Sequence, residues 1–130
     1  MDDPLYREEI LDHYYSSAHR GHLESPDLIS DLDNPLCGDE IHLELRLAGN
    51  GRIDQVRFDG HGCVISQAAT SLLADRVEGA TLDEVRKITP ADVVKLLGVP
   101  LSPTRMKCGL LGWKALQKAV DGPEPGRIKR

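Results

Sequence analysis

Ile41-His42-Leu43-Glu44-Leu45-Arg46-Leu47, with the turn Ala48-Gly49-Asn50-Gly51 behind it, decides the fold of this chain. The run alternates strictly between apolar and polar residues, which is the period of a half-buried strand. After the turn, Arg52 to Asp59 resumes as a second strand with Val56 and Phe58 in phase. The two segments are expected to pair as an antiparallel hairpin. Ile53 falls out of that phase, which predicts a bulge.

Working outward, Gly60-His61-Gly62-Cys63 turns the chain out of the second strand. Ile65, Ala68, Ala69, Leu72 and Leu73 then recur at helical spacing. Thr81-x-x-Glu84 has the form of a capping box for a short helix. Thr89-Pro90 starts another helix and Gly98 ends it. Ser102-Pro103 caps a last helix, which is expected to run to about Val120 with Met106, Leu110, Trp113 and Leu116 on one face. Upstream, residues 4–18 read as a helix carrying Leu5, Ile10, Leu11, Tyr14 and Tyr15. Residues 19–38 are polar, contain Gly21, Pro26 and Pro35, and read as irregular. The expected class is α+β: a small antiparallel sheet of about three strands packed by helices. Residues 1–130 are expected to form one domain, with 1–3 and 121–130 flexible.

Composition narrows the function. A net charge of −5 argues against a nucleic-acid binder that neutralises phosphates. No apolar run approaches the roughly 20 residues that span a bilayer. Met1-Asp2-Asp3-Pro4 lacks the basic and apolar regions of a signal peptide, so a cytoplasmic location is expected. Three cysteines there fit poorly with a disulfide framework.

Those cysteines carry the chemistry. Cys37 and Cys63 sit in glycine-containing turns, and Cys108 sits in the early turns of the last helix near Arg105 and Lys107. All three fall at junctions between elements, where distant parts of a small sheet converge. Three thiolates and one oxygen or nitrogen complete a tetrahedral site for a thiophilic metal. Asp39 is two residues from Cys37, and reads either as a fourth, weaker ligand or as a turn residue bonding its own backbone. Cys63 stands just before a helix N-terminus, where free N–H groups favour a thiolate. His61 reads as an exposed turn residue, with a ligand role as the alternative. His19 and His22 read as solvated.

Taken together, Leu5-Tyr6-Arg7-Glu8-Glu9-Ile10-Leu11-Asp12-His13-Tyr14, Asn34-Pro35-Leu36-Cys37-Gly38-Asp39, Gly60 to Ser66, and Lys107-Cys108-Gly109-Leu110-Leu111-Gly112-Trp113 resemble the U-type iron–sulfur cluster assembly proteins, the family of IscU, SufU and the NifU N-terminal domain. The resemblance spans nearly the whole chain. It implies that Cys37, Asp39, Cys63 and Cys108 are the ligands, with Zn²⁺ in the resting state and a transient [2Fe–2S] cluster in the working one. It also implies a persulfide acceptor that works with a cysteine desulfurase, rather than a stand-alone enzyme, and that delivers to apo iron–sulfur proteins or a carrier. Cys37 is the expected acceptor and Cys108 the second choice. Lys107 stands where IscU proteins usually carry His, a SufU-like feature. Cys63 and Cys108 are only 45 positions apart, which is IscU-like. Two rival readings are a zinc-dependent sulfurtransferase without scaffold role and a structural zinc domain that binds partners.

Overall fold

The computed structural model describes residues 8–16, 18–35 and 38–121. Among them the order is α1 (Glu8–Tyr15), β1 (Leu28–Asn34), β2 (Asp39–Leu47), β3 (Ile53–His61), α2 (Val64–Val77), α3 (Leu82–Arg86), α4 (Pro90–Leu97), α5 (Pro103–Gly109) and α6 (Leu111–Asp121). The strands form one antiparallel sheet, β1-β2-β3, so the α+β expectation is met. Pro4, Leu5, Cys37 and the tail 122–130 lie outside the described residues.

The hairpin forms in the register that its alternation dictates. Leu43 stands opposite Phe58 and Leu45 opposite Val56. Arg46 pairs with Gln55 but Leu47 pairs with Ile53, so Asp54 is the extra residue of a bulge. The bulge returns Ile53 to the core face, where it is buried. Ile41, Leu43, Leu45 and Leu47 project to that same face and are all buried. α2 and α6 pack on it.

Two expectations need correction. Residues 28–34 are not irregular: they form β1, paired with β2 from Leu28↔Leu45 to Asn34↔Asp39. Leu28, Ser30 and Leu32 turn inward while Ile29, Asp31 and Asp33 stay exposed. The polar Ser30 and flanking Pro26 and Pro35 disguise that alternation. The last helix is also broken in two at Leu110. Gly109 and Gly112 weaken helix propensity there, and Gly112 lies so close to Thr70 of α2 that a Cβ would stand 3.0 Å from the Thr70 Cβ. The break lets α6 settle onto α2.

α1 is shorter than expected, ending at Tyr15 rather than near residue 18. The Ser16 hydroxyl accepts the Ala18 N–H at 3.2 Å, a local bond that competes with another helical turn. The other helix signals hold. Thr81 and Thr89 both close full capping boxes, with Glu84 and Asp92, and Gly98 ends α4 in the left-handed conformation. Asp121, expected in the flexible tail, closes α6.

Candidate functional site

β2 begins at Asp39, and this end of the sheet carries the chemistry. Asp39 shares the core-facing phase of Ile41 and is 1% exposed. A carboxylate buried that far needs partners. Its Oδ1 accepts the Cys63 backbone N–H at 2.8 Å. Its Oδ2 lies 3.5 Å from the Cys63 Sγ, which donates to it. Cys63 is the N-cap of α2 and its side chain makes no cap bond, so the thiol points toward Asp39 instead.

Gly62 makes this approach possible. Its φ is +148°, and a Cβ there would collide with Asp39 Oδ1 and stand 2.6 Å from its Cγ. Only glycine lets the β3–α2 turn close over the carboxylate. Cys108 comes from the other direction on α5, whose N-cap Ser102 accepts the Arg105 N–H. It is buried, while Cys63 is exposed. The donor atoms of Asp39, Cys63 and Cys108 all lie within 4.8 Å of one another. One end of the sheet thus brings together two thiols and one carboxylate, a set that can hold a thiophilic metal ion. Cys37, the fourth expected ligand, lies outside the described residues.

His61 stands apart from this group. It pairs across the sheet with Glu40, 2.6 Å from its carboxylate, and its side chain is exposed. His19 corrects the expectation of a solvated residue: it is buried, with Nε2 2.6 Å from Asp75.

The sequence reading also missed a second cluster, His22, His42 and Glu44, whose donor atoms likewise lie within 4.8 Å of one another. His42-x-Glu44 on one strand face was the available signal, since alternate residues share a face. Burial alone would raise the Glu44 carboxyl, but hydrogen bonds from His22, the Leu23 N–H and His42 outweigh it and hold the group down at about 2. Glu44 in turn holds both imidazoles above their ordinary value, chiefly by hydrogen bonding.

With this geometry in place, comparison with known proteins is decisive. Residues 5–124 match the NifU-like N-terminal domain. The chain belongs to that family. It is 33% identical to the zinc-dependent sulfurtransferase SufU of Bacillus subtilis, with 95% of each chain covered. It is 36% identical to the iron–sulfur cluster assembly scaffold protein IscU of Thermotoga maritima, covering 89% of this chain and 92% of the relative. A solved structure from Fervidobacterium islandicum AW-1, named as a candidate cluster assembly scaffold of the SUF system, superposes with a TM-score of 0.77 at 30% identity, over 89% of this chain and 96% of that one. The alignment to the Bacillus relative runs over 141 positions, so that protein carries residues this chain lacks.

Proposed function

We propose that this protein accepts persulfide sulfur from a cysteine desulfurase, builds a transient [2Fe–2S] cluster on Cys37, Asp39, Cys63 and Cys108, and passes it to an apo iron–sulfur protein or a carrier. The convergence of Asp39, Cys63 and Cys108 in a member of this family carries the reading. The transfer step is thiolate attack on the outer sulfur of the donor's persulfide. A new S–S bond forms on the acceptor, the donor's S–S bond breaks, and the donor cysteine leaves as thiolate.

The acceptor must be accessible. Cys108 is only 5% exposed, which favours Cys37 over it as the acceptor. Lys107 and Lys114 line a cleft of about 220 Å³ together with Asp33, Asn34 and Pro35, beside the β1–β2 connection that carries Cys37. Their charge suits the persulfide anion that the transfer generates. Zn²⁺ fits the same donors, Cys37, Asp39, Cys63 and Cys108, and when bound keeps the thiols deprotonated. Among the described residues no helix is long and apolar enough to cross a membrane, which is compatible with work in the cytoplasm.

A second reading, a zinc-dependent sulfur relay without scaffold role, is favoured by Lys107 directly before Cys108 and by the similarity to the Bacillus sulfurtransferase. One experiment separates the two. The protein is incubated with a cysteine desulfurase, cysteine and a dithiol reductant, with and without Fe²⁺; the dithiol and Fe²⁺ together supply the two electrons that turn each persulfide sulfur into bridging sulfide. Growth of cluster absorbance with Fe²⁺ supports the scaffold. Faster cysteine turnover with no cluster supports the relay, and neither response refutes both.

A further inference from the structure

β2 has two faces. Ile41, Leu43 and Leu45 enter the core, so His42 and Glu44 project from the opposite side. His42 stands across from Asp31 on β1 and Asp59 on β3. His22 is delivered to this face by the segment that leaves β3 at Arg20, which bridges Phe58, and reaches the start of β1 at Asp27, whose N–H bonds the Leu45 carbonyl.

The side chains are held in a particular way. Glu44 is buried, its side chain 7% exposed. Its Oε1 accepts the Leu23 N–H at 2.6 Å. Its Oε2 is 3.0 Å from His22 Nδ1 and 2.7 Å from His42 Nε2. The far nitrogen of each imidazole meets a second carboxylate. His42 Nδ1 is 2.6 Å from Asp31, and His22 Nε2 is 3.4 Å from Asp59. A carboxylate behind a histidine, fixing the ring so that its other nitrogen points at a shared centre, is the arrangement used by metal-ligating imidazoles.

We propose that His22 Nδ1, His42 Nε2 and Glu44 Oε2 form a second metal site, for a divalent first-row transition ion. Metal–ligand bonds of about 2.1 Å hold neighbouring ligand atoms about 3 to 3.5 Å apart. Glu44 Oε2 is already near that spacing from each imidazole nitrogen, at 3.0 and 2.7 Å, the donor atoms all lie within 4.8 Å of one another, and His22, more than half exposed, has room to adjust. Two imidazole nitrogens are too many for Ca²⁺ or Mg²⁺, and the absence of sulfur from the set disfavours Cu⁺. Fe²⁺, Co²⁺, Ni²⁺ and Zn²⁺ all suit it. His42 opens onto a cleft of about 280 Å³ that Asp31, Asp33, Glu40 and Asp59 also line, against which Arg20 and Lys118 reach only the Gly60 and Asp31 carbonyls. That negative field concentrates cations. Arg57, the cross-strand neighbour of Glu44, is drawn away to Glu78. The site is distinct from the thiol cluster, three residues or roughly 10 Å along the strand and on the other face.

Co²⁺ titration of the full chain tests this. One equivalent should show the intense thiolate-to-metal absorption of the cysteine site, and a second should bind with weak d–d bands only. His22→Ala and His42→Gln should each abolish the second equivalent and leave the thiolate band unchanged. Asp31→Asn should weaken it tenfold to a hundredfold. The thiolate band scores the cysteine site separately, so failure of either site is read on its own. A parent protein that binds no thiolate-free equivalent overturns the proposal. So does a second equivalent that survives in both histidine variants, because the donors would then lie elsewhere.

Discussion

Gly62→Ala is the sharpest probe of the thiol end of the sheet. The new methyl would overlap Asp39 Oδ1 and stand 2.6 Å from its Cγ and 2.9 Å from its Cβ. Neither partner can yield at low cost, because Asp39 is buried and its Oδ1 is held by the Cys63 N–H. Two effects add. A side chain at φ +148° costs about 1–3 kcal/mol in backbone strain. Displacing the carboxylate gives up a charged hydrogen bond of about 1.5–3 kcal/mol. The expected loss is therefore about 2.5–6 kcal/mol in urea unfolding of the metal-free protein. Zinc affinity, measured against a competing chelator, should fall at least tenfold, or about 1.4 kcal/mol, because the oxygen donor has moved. Gly51→Ala is the control. Its φ is +82° with nothing within 4 Å of a Cβ, so it should cost only the backbone strain, about 1–2 kcal/mol, and leave zinc binding unchanged. If the two variants match in both stability and zinc affinity, Gly62 is a plain turn residue and the argument that it shapes the site is wrong.

Further expectations follow from the same geometry. Cys37→Ser, Cys63→Ser and Cys108→Ser should each lose the metal of the thiol site, read as loss or strong weakening of the Co²⁺ thiolate band, and an unchanged band in one removes that residue from the site; after brief exposure to desulfurase and cysteine, the persulfide adduct of about 32 Da, one sulfur atom, should map chiefly to Cys37 by peptide mass. Asp39→Ala should slow cluster transfer to an apo acceptor, and Asp39→Cys should bind zinc tightly and transfer little sulfur, because four thiolates make a closed site; unchanged transfer in both would move the fourth ligand elsewhere. Gly112→Ala should cost about 1–3 kcal/mol in denaturant unfolding by overpacking α6 against Thr70, and a neutral result would mean that the two helices separate freely. Glu84 sits below its ordinary carboxyl value because it accepts the Thr81 N–H, so its stabilising effect is present above about pH 4.5 and fades as pH falls through the folded value; Glu84→Gln should flatten that part of the acid limb of the stability curve, and an unchanged limb would assign it to other carboxylates.

Where one residue pattern carried one meaning, the sequence was readable. The hairpin followed from strict alternation, the bulge from the phase of Ile53, and three helix starts from threonine or serine caps. β1 was missed because Ser30 occupies a core-facing position and two prolines bracket the strand, so local polarity concealed the period. The break at Leu110 lies between Gly109 and Gly112, a local signal that was passed over, while the close approach of Gly112 to Thr70, about forty residues away, is one that no local pattern reveals. At the site, glycine-bearing turns pointed to the thiols and to Asp39. They could not show that Gly62 must close over Asp39, since that needs the register of β2 against β3. The histidine cluster was hidden for a similar reason. His22 and His42 meet only because the segment from Arg20 to Asp27 crosses the sheet, and a polar residue on the outer face of a strand ordinarily reads as solvated.

β2 thus sorts donors by chemistry. Its core-facing phase begins with Asp39, which meets sulfur from α2 and α5. Its outer phase offers His42 and Glu44, which meet nitrogen from the crossing segment. The first set prefers thiophilic ions and clusters, and the second prefers borderline ions without sulfur. Because successive residues of a strand point to opposite faces, neither set can intrude on the other without a register slip, and such a slip would bury His42 and expose Leu43. The hydrophobic pattern that fixes the fold therefore also keeps the two donor sets apart. A metal held by the outer set would not occupy the position that the thiols and Asp39 reserve for cargo. Loading one site should accordingly leave the affinity of the other unchanged.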